Sequence, residues 1–173
     1  LWLIDVQERL VPLVVDHARL VWNCRRLLDG ARVLGVPVGA TEQYPEKLGP
    51  TVELLRSRLS GPAAKLAFSG ACCGQVFEPW REAGIFRVLL CGIETHVCIQ
   101  QTAFDLMAAG MQVYIAADAV STRHAVDHEF ALRRLESGGA TLTTTEAALF
   151  EWCEVAGTPE FKQISALVRE APP

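Results

Sequence analysis

The chain has 173 residues and lacks several features that mark broad functional classes. It contains no run of Lys or Arg, and its net charge of −4 argues against a nucleic-acid or acidic-lipid partner. No apolar stretch reaches the roughly 18 residues that a membrane span needs. Residues 1–4 lack the charged flank of a signal peptide, so we expect a cytoplasmic protein with no membrane partner. This charge pattern favours a small-molecule substrate or another subunit as the partner, and the mean hydropathy of +0.22 favours further copies of the chain.

The six cysteines do not form the regular framework of a small disulfide-rich secreted chain. Adjacent Cys72 and Cys73 have no second cysteine pair or C-x-x-C motif to complete a zinc site. His124 and His128 have the i, i+4 spacing of paired ligands, but the sequence offers no third ligand beside them. Histidines on a solvated helix face are common. We therefore predict reduced thiols, no metal site and no cofactor.

Short apolar runs alternate with helical patterns along the chain. This alternation predicts a mostly parallel sheet with helices on both faces, because right-handed crossovers leave no other simple packing. The expected class is α/β, a three-layer doubly wound (Rossmann-like) fold with a six-stranded parallel sheet flanked by helices, in one domain over residues 1–173. The predicted strands are 1–6, 36–40, 64–68, 86–91, 112–117 and 141–143. The predicted helices are 16–34, 51–59, 75–83, 98–110 and 125–136.

Capping residues mark several of the expected helix starts. Asp16 suits the N-cap of the first long helix, and Asp118 is interpreted chiefly as a cap for residues 121–125. Two further helices are predicted near the C-terminus. One follows a Thr143-x-x-Glu146 capping box, and the other follows Thr158-Pro159, an N-cap with proline at the first helical position.

Three side chains with catalytic chemistry fall at strand ends, where the carboxyl edge of a doubly wound sheet forms a crevice. Asp5 interrupts a run otherwise built for burial, and burying it without a partner would be costly or would raise its pKa. Lys65 opens the run Lys65-Leu66-Ala67-Phe68 and can supply the missing positive charge. Cys98 lies where a buried strand gives way to a helix, and the helix dipole there is expected to favour its thiolate.

Together these groups form a chemically complete set for nucleophilic hydrolysis. Cys98 would attack a carbonyl, Lys65 would stabilise the thiolate, and Asp5 would take the thiol proton and later activate water. Backbone N–H groups around Glu94 and Cys98 would form an oxyanion hole. The competing interpretation is a structural ion pair between Asp5 and Lys65 with Cys98 as packing. The spacing along the sequence does not decide between the two.

The chain resembles the isochorismatase-like, or cysteine hydrolase, superfamily over essentially its whole length. The resemblance rests on Asp5 in Leu-Ile-Asp-Val-Gln, Lys65 in Ala-Lys-Leu-Ala-Phe-Ser and Cys98 in Gly-Ile-Glu-Thr-His-Val-Cys. It implies an Asp-Lys-Cys catalytic triad and a cis peptide bond between Ile93 and Glu94, which would turn backbone N–H groups toward the substrate. It also implies that the chain forms a homo-oligomer.

A closer likeness, to the isochorismatase domain-containing protein branch, rests on residues 41–45, 92–98 and 143–146. Isochorismatases proper typically lack the cysteine, and nicotinamidases usually carry an Asp-x-His metal motif where this chain has Thr41-Glu42-Gln43-Tyr44. The resemblance therefore favours a hydrolase that cleaves the C–N bond of a small amide through a thioester on Cys98. The alternatives are isochorismatase-type vinyl-ether hydrolysis with the cysteine as a bystander, and a non-catalytic binding or scaffold protein.

Four further residues are predicted to shape a substrate pocket. Gln43, Tyr44 and Phe68 fall at strand ends, and His96 lies two residues before the thiol. His96 has two interpretations that stay open: contact with substrate or an adjacent subunit, and a structural contact held by Glu94.

Overall fold

A six-stranded sheet forms the centre of the computed structural model, which describes residues 1–173. The strands are β1 (Trp2–Ile4), β2 (Gly39–Gln43), β3 (Ala63–Lys65), β4 (Arg87–Ile93), β5 (Gln112–Ser121) and β6 (Thr141–Thr143). Their order is β3-β2-β1-β4-β5-β6, and every neighbouring pair is parallel. This arrangement confirms the predicted α/β class and the six parallel strands.

The helices are α1 (His17–Leu34), α2 (Pro45–Leu48), α3 (Glu53–Arg56), α4 (Gly74–Glu82), α5 (Gln100–Ala108), α6 (Ala125–Ser137), α7 (Thr145–Cys153) and α8 (Pro159–Val168). A π-helical turn, Thr95–Ile99, precedes α5, and 3-10 turns occupy Val11–Leu13 and Gly70–Cys72. α1, α3 and α7 pack on one face of the sheet, and α4, α5 and α6 pack on the other. None of these helices combines the length and apolar character of a membrane span.

The side chains of β1 point alternately into two hydrophobic cores, one on each face of the sheet. Leu3 packs into the core beneath α1, while Trp2 and Ile4 pack into the core beneath α4 and α5. All three side chains are at most 1% exposed. Successive strand residues point to opposite faces of a sheet, so a continuously apolar strand indicates burial on both sides. The first strand is therefore fixed rigidly up to the residue that follows it, Asp5.

The direction in which the chain crosses the sheet reverses between β1 and β4. Strands β2 and β3 lie on one side of β1, whereas β4, β5 and β6 lie on the other. Gly92 allows the two central strands to approach closely at this point. It has φ +119°, and a Cβ there would overlap the backbone carbonyl of Ile4. The crevice of a doubly wound sheet opens at such a switch point, so the ends of β1 and β4 face it together.

The strands that flank this crevice end differently from the sequence prediction. The expected strand 36–40 is wrong in its bounds, because pairing with β1 begins at Gly39 and continues to Gln43. The polar end of β2 has the composition of a loop, yet its side chains form hydrogen bonds with residues at the ends of the two neighbouring strands. The expected strand 64–68 is shorter as well. Lys65 ends β3 and does not open it, which turns its side chain toward the carboxyl edge of the sheet.

Two predicted helices also differ in extent. The helix expected over 51–59 is limited to α3 (Glu53–Arg56). The helix expected to begin at Cys98 starts earlier, because the π-helical turn Thr95–Ile99 leads into α5. The thiol therefore lies inside a widened turn and not in the first turn of a regular helix.

Capping at the start of α7 differs from the prediction. Thr144, not Thr143, is the N-cap, and its hydroxyl accepts a hydrogen bond from the N–H of Ala147 at 3.3 Å. Thr143 is unavailable because it is the last residue of β6. Asp118 caps this same helix, accepting from the backbone N–H of Thr145 at 2.7 Å and from its hydroxyl at 3.0 Å. The assignment of Asp118 to residues 121–125 is therefore wrong.

The other two predicted caps differ in outcome. Thr158 is confirmed as the N-cap of α8, since its hydroxyl accepts from the N–H of Phe161 at 3.0 Å. Asp16 occupies the N-cap position of α1 in a left-handed conformation, and its side chain makes no capping hydrogen bond. Leu20, which lies on the buried face of α1, instead anchors the start of that helix in the core.

Candidate active site

The carboxyl ends of β1 and β3 bring Asp5 and Lys65 together. The Nζ atom of Lys65 lies 2.6 Å from Oδ2 of Asp5, and both side chains are completely buried. Removing two charges from water is expensive, so such a pair requires close geometry and further hydrogen bonds. Lys65 thus supplies the positive charge that the buried carboxylate of Asp5 requires.

Asp5 is held at its second oxygen by the neighbouring strand. Its Oδ1 accepts a hydrogen bond from the Thr41 hydroxyl at 2.8 Å, and its backbone N–H donates to the Thr41 carbonyl at 3.1 Å. Burial raises the pKa of Asp5, and the charge of Lys65 is the largest opposing influence. Hydrogen bonds from Lys65, Cys98 and Thr41 also favour the ionised carboxylate. The site therefore contains a carboxylate whose affinity for a proton is higher than usual.

Lys65 is surrounded by oxygen acceptors. Besides Asp5, its Nζ atom contacts Oε1 of Gln43 at 2.7 Å, the carbonyl of Phe68 at 3.0 Å and the carbonyl of Ala67 at 3.3 Å. An ammonium group has three N–H donors, so four acceptors leave no donor free. Lys65 therefore acts on the rest of the site chiefly through its fixed charge.

Cys98 joins this pair from the π-helical turn after β4, and only 7% of the residue is exposed. Burial raises the pKa of its thiol to about 12, with the negative charge of Asp5 as the next cause and the charge of Lys65 opposing both. The expectation that the helix dipole favours the thiolate is therefore wrong. Desolvation and the neighbouring carboxylate both favour the protonated thiol.

Glu94 connects β4 to the turn that holds the thiol. The Ile93–Glu94 peptide bond is cis. The Glu94 N–H has no backbone acceptor, while its carbonyl accepts from the N–H groups of Val97 at 3.1 Å and Ile99 at 3.2 Å. The structure thus brings together Asp5, Lys65 and the thiol at the switch point, with a free N–H donor in the same turn.

The sequence of this chain matches a known protein family. The isochorismatase domain model matches residues 1–147. The chain belongs to the isochorismatase-domain family. Isochorismatase domain-containing protein 2 of Danio rerio is 41% identical over 174 residues, which cover 100% of this chain and 88% of that protein. Its Homo sapiens counterpart is 40% identical over 173 residues, covering 100% of this chain and 84% of that protein.

Solved structures of other proteins share the architecture. The structure of MAR1 ribonuclease from Caenorhabditis elegans has a TM-score of 0.90 at 34% identity, covering 99% of this chain and 90% of that chain. The YcaC gene product of Escherichia coli, described as an octameric hydrolase of unknown specificity, has a TM-score of 0.74 at 22% identity. It covers 95% of this chain and 90% of that chain, and it shares the fold alone.

His96 and Glu94 contact different partners in this isochorismatase-domain protein. The Glu94 carboxylate accepts from the backbone N–H of Arg123 at 2.9 Å and from its Nε at 3.1 Å. Of the two interpretations left open for His96, the structural contact held by Glu94 is therefore wrong. The Nε2 atom of His96 lies 3.9 Å from Oδ2 of Asp127, and its buried Nδ1 atom has no protein partner. His96 therefore packs against α6, next to the turn that contains Cys98.

The two histidines of the i, i+4 pair also separate in space. The Nδ1 atom of His128 lies 3.0 Å from the Thr95 hydroxyl, and burial lowers its pKa. His124 instead occupies the N-cap position of α6, where its carbonyl accepts from the Thr122 hydroxyl at 2.7 Å. His128 therefore supports the turn that carries Cys98 and does not share a ligand with His124.

The predicted pocket residues divide into framework and rim. Gln43 uses its side-chain amide inside the protein, since Oε1 accepts from Lys65 and Nε2 donates to the Leu66 carbonyl at 2.8 Å. The Tyr44 side chain is exposed and lines a shallow cavity of about 250 Å³ with residues 45, 46 and 64–66. The Phe68 side chain is 54% exposed, while its backbone carbonyl contacts Lys65. Tyr44 and Phe68 thus lie at the rim around the buried pair.

Sequence reasoning missed two residues that hold this framework. Thr41 contacts Asp5 directly, and Gln7 is completely buried. Gln7 accepts from the Gln43 N–H at 2.7 Å and donates to the Gln43 carbonyl at 3.0 Å. The available signal was the polar glutamine two residues after Asp5 in an otherwise apolar segment, because a buried amide requires hydrogen-bond partners.

Proposed function

We propose that this protein is a cysteine hydrolase that cleaves the C–N bond of a small amide. Cys98 is the nucleophile, Asp5 moves the proton, and Lys65 provides a fixed counter-charge. The observation that carries the proposal is the fully buried Lys65–Asp5 pair, with 2.6 Å between Nζ and Oδ2, beside a buried thiol. An ion pair buried for packing alone is commonly replaceable by apolar side chains, so its presence beside a nucleophile favours a chemical role.

In the first half-reaction the sulfur of Cys98 attacks the amide carbonyl carbon. The thiol proton passes to Asp5 as the C–S bond forms and the carbonyl electron pair moves onto oxygen. The N–H groups of Glu94 and Cys98 stabilise that oxyanion. When the C=O bond re-forms, the C–N bond breaks, and Asp5 returns the proton to the leaving nitrogen. An amine departs and a thioester remains on Cys98.

In the second half-reaction a water molecule attacks the thioester carbonyl. Asp5 takes one proton from the water as its oxygen bonds to carbon. Collapse of this second tetrahedral intermediate breaks the C–S bond, and the proton on Asp5 returns to the sulfur. The products are a carboxylic acid and the original thiol, so the cycle needs no cofactor and no metal ion.

The direction of both pKa shifts fits this sequence of proton transfers. The pKa of Cys98 is about 12, so the thiol keeps its proton until the substrate arrives and Asp5 accepts it. The pKa of Asp5 lies above its usual value, mainly through burial. Activity needs the ionised carboxylate, so it is expected to fall as the pH falls through this raised pKa, above the range of an exposed aspartate.

A second candidate is RNA cleavage, because the C. elegans relative at 34% identity is named a ribonuclease. Two features of this chain favour the amide. The ammonium of Lys65 is occupied by four oxygen atoms, so it has no free donor for a phosphate group. The net charge of −4 also disfavours the phosphate backbone. A vinyl-ether substrate would leave the thiol without a role.

A substrate screen tests the proposal. Small primary and secondary amides, a vinyl ether and single-stranded RNA are incubated with the wild type, with Cys98→Ala and with Cys72→Ala, which removes an exposed thiol. We expect amine release from an amide by the wild type and Cys72→Ala only, with an acylated Cys98 peptide detected by mass spectrometry. Amide cleavage that survives in Cys98→Ala contradicts the covalent mechanism, and turnover of RNA alone favours the second candidate.

We further propose that the enzyme works in the cytoplasm as a homo-oligomer of single-domain chains on a small-molecule substrate. Apolar side chains on the surface support self-association: Leu66 is 71% exposed, Phe130 57% and Phe68 54%. An octameric structure is recorded for the E. coli YcaC protein, which has the same fold. Light scattering of the purified protein tests this, because a mass of one chain, 18.9 kDa, contradicts it.

A further inference from the structure

Gln43 and Lys65 are register partners on the parallel strands β2 and β3. Side chains at paired positions of neighbouring strands extend from the same face of a sheet, so these two lie side by side. Oε1 of Gln43 accepts from Nζ of Lys65 at 2.7 Å, and Nε2 of Gln43 donates to the Leu66 carbonyl at 2.8 Å. Both ends of the amide are therefore used within the protein, on the lysine and on the residue that follows it.

The backbone of Gln43 is itself clamped by a second glutamine. The N–H of Gln43 donates to Oε1 of Gln7 at 2.7 Å, and its carbonyl accepts from Nε2 of Gln7 at 3.0 Å. The same Nε2 group donates to the Gly49 carbonyl at 2.6 Å. Gln7 is completely buried, two residues after Asp5. A continuous chain of hydrogen bonds thus joins the segment after β1 to the ammonium of Lys65.

We infer that Gln43 is a positioning residue that fixes the ammonium of Lys65 against Asp5, and that it is not a substrate ligand. This inference rests on the proposed function for its catalytic meaning. Lys65 has a flexible stem and three donors, of which Asp5 takes one and the backbone carbonyls of residues 67 and 68 compete for another. Gln43 holds the remaining donor. Without it that donor is left to the longest of the four contacts, 3.3 Å to the Ala67 carbonyl, and the counter-charge on Asp5 is less firmly fixed.

The hydrogen exchange of the lysine ammonium groups tests this directly. The chain has three lysines, Lys47, Lys65 and Lys162, so ¹⁵N-lysine labelling gives a simple NMR spectrum. A buried ammonium with every donor bonded should give a slowly exchanging signal, and that signal belongs to Lys65. We expect Gln43→Met to accelerate its exchange roughly tenfold. Gln43→Glu keeps an acceptor oxygen at the same reach and should retain slow exchange, whereas Gln163→Met, on the exposed face of α8, should change nothing.

Gln43→Asn extends this test in case Gln43→Met does not fold. It keeps an amide but withdraws the oxygen by one methylene, so it should also accelerate exchange while circular dichroism remains that of the wild type. Unchanged Lys65 exchange in either folded variant overturns the inference. These readouts need no turnover, so they stand apart from the amide screen.

Steady-state kinetics on an amide that the screen identifies separates positioning from substrate binding. A positioning role predicts a fall in kcat on the order of 100-fold in Gln43→Met, with KM little changed. A rise in KM with kcat unchanged indicates a substrate ligand and overturns the inference. If no amide is turned over by the wild type while Lys65 exchange responds to Gln43, the proposed function fails and the positioning of Lys65 by Gln43 stands.

Discussion

The two halves of the candidate site are built in opposite ways. On the side of β1, β2 and β3, polar atoms are saturated: both oxygens of Asp5 and all donors of Lys65 have partners. On the side of β4, the turn that contains Cys98 leaves the Glu94 N–H without a backbone acceptor, and the raised pKa of Cys98 favours the protonated thiol. The first half is complete before a substrate arrives, whereas the second half has capacity left for one.

This difference assigns separate tasks to the two halves. A saturated ion pair in a low-dielectric site keeps its charges in place and costs no reorganisation during reaction. A neutral thiol and an open N–H donor become useful only when a carbonyl lies between them. The division also predicts that changes on the Asp5 side act through the charge, protonation and position of Asp5 and Lys65, while changes on the Cys98 side act directly on the sulfur and the oxyanion donors.

The largest expected effect comes from breaking the saturated half. Lys65→Met leaves Asp5 as an uncompensated buried charge and should lower the free energy of unfolding by about 3–5 kcal/mol at neutral pH. Lys65 lowers the pKa of Asp5, so its loss raises that pKa further above the unfolded value. An acid whose folded pKa is raised loses stability as the pH rises through the window between its unfolded and folded pKa.

The deficit of Lys65→Met should therefore shrink as the pH falls toward the ordinary pKa of aspartate, where Asp5 is neutral. Urea unfolding at neutral and mildly acidic pH measures this, with the exposed Lys162→Met as the control. A deficit that stays constant across this range contradicts the assignment of Asp5 as the stranded charge.

The second-largest expected effect concerns how closely strands β1 and β4 must approach each other. Gly92→Ala places a methyl group against the Ile4 carbonyl in a backbone conformation with φ +119°, and it should cost about 2–4 kcal/mol. Gly84→Ala is the matched control, since it has φ +76° with nothing within 4 Å, and it should cost about 1 kcal/mol. Thermal unfolding measures both. Equal losses mean that the approach of β1 and β4 does not require glycine.

Much of the fold and of the candidate site was predictable from the sequence, and the reasons differ between the two halves of the site. Apolar runs and their alternation with helices predicted the sheet, and Asp5 was identified because a lone carboxylate in a buried strand needs a counter-charge. The polar end of β2 was missed, because Thr41 and Gln43 have loop-like composition and form a strand only through pairing with β1 and β3. Single-strand patterns do not contain that information.

The protonation state of Cys98 was missed for a related reason. Local sequence predicted a helix start and thus a stabilised thiolate, but the pKa depends on burial and on Asp5, which lies far away along the chain. Distances between strand ends are set by sheet order, which the spacing of residues does not specify. The widened turn Thr95–Ile99 has no distinct sequence signature either, so the thiol's surroundings needed the three-dimensional structure.

A smaller effect separates the charge of Asp5 from its role as a base. Asp5→Asn removes the carboxylate that raises the pKa of Cys98, so iodoacetamide should alkylate the folded variant on the order of tenfold faster at neutral pH. The same change removes the proton acceptor and should abolish amide turnover. Peptide mass spectrometry confirms the alkylated residue, with Cys98→Ala as the blank. Slower alkylation in Asp5→Asn contradicts a thiol held protonated by its neighbour.

The smallest effect concerns the hydrogen bond that completes the saturated half. Thr41→Val removes the donor to Oδ1 of Asp5 and should cost about 1 kcal/mol of unfolding free energy. That hydrogen bond lowers the pKa of Asp5, so its loss should move the acid limb of the activity profile to higher pH. Thr122→Val is the matched control, because its buried hydroxyl donates to a neutral carbonyl, that of His124. It should cost similar stability without moving the acid limb, and a shift in both variants would mean that the limb reports general loosening of the fold and not the ionisation of Asp5.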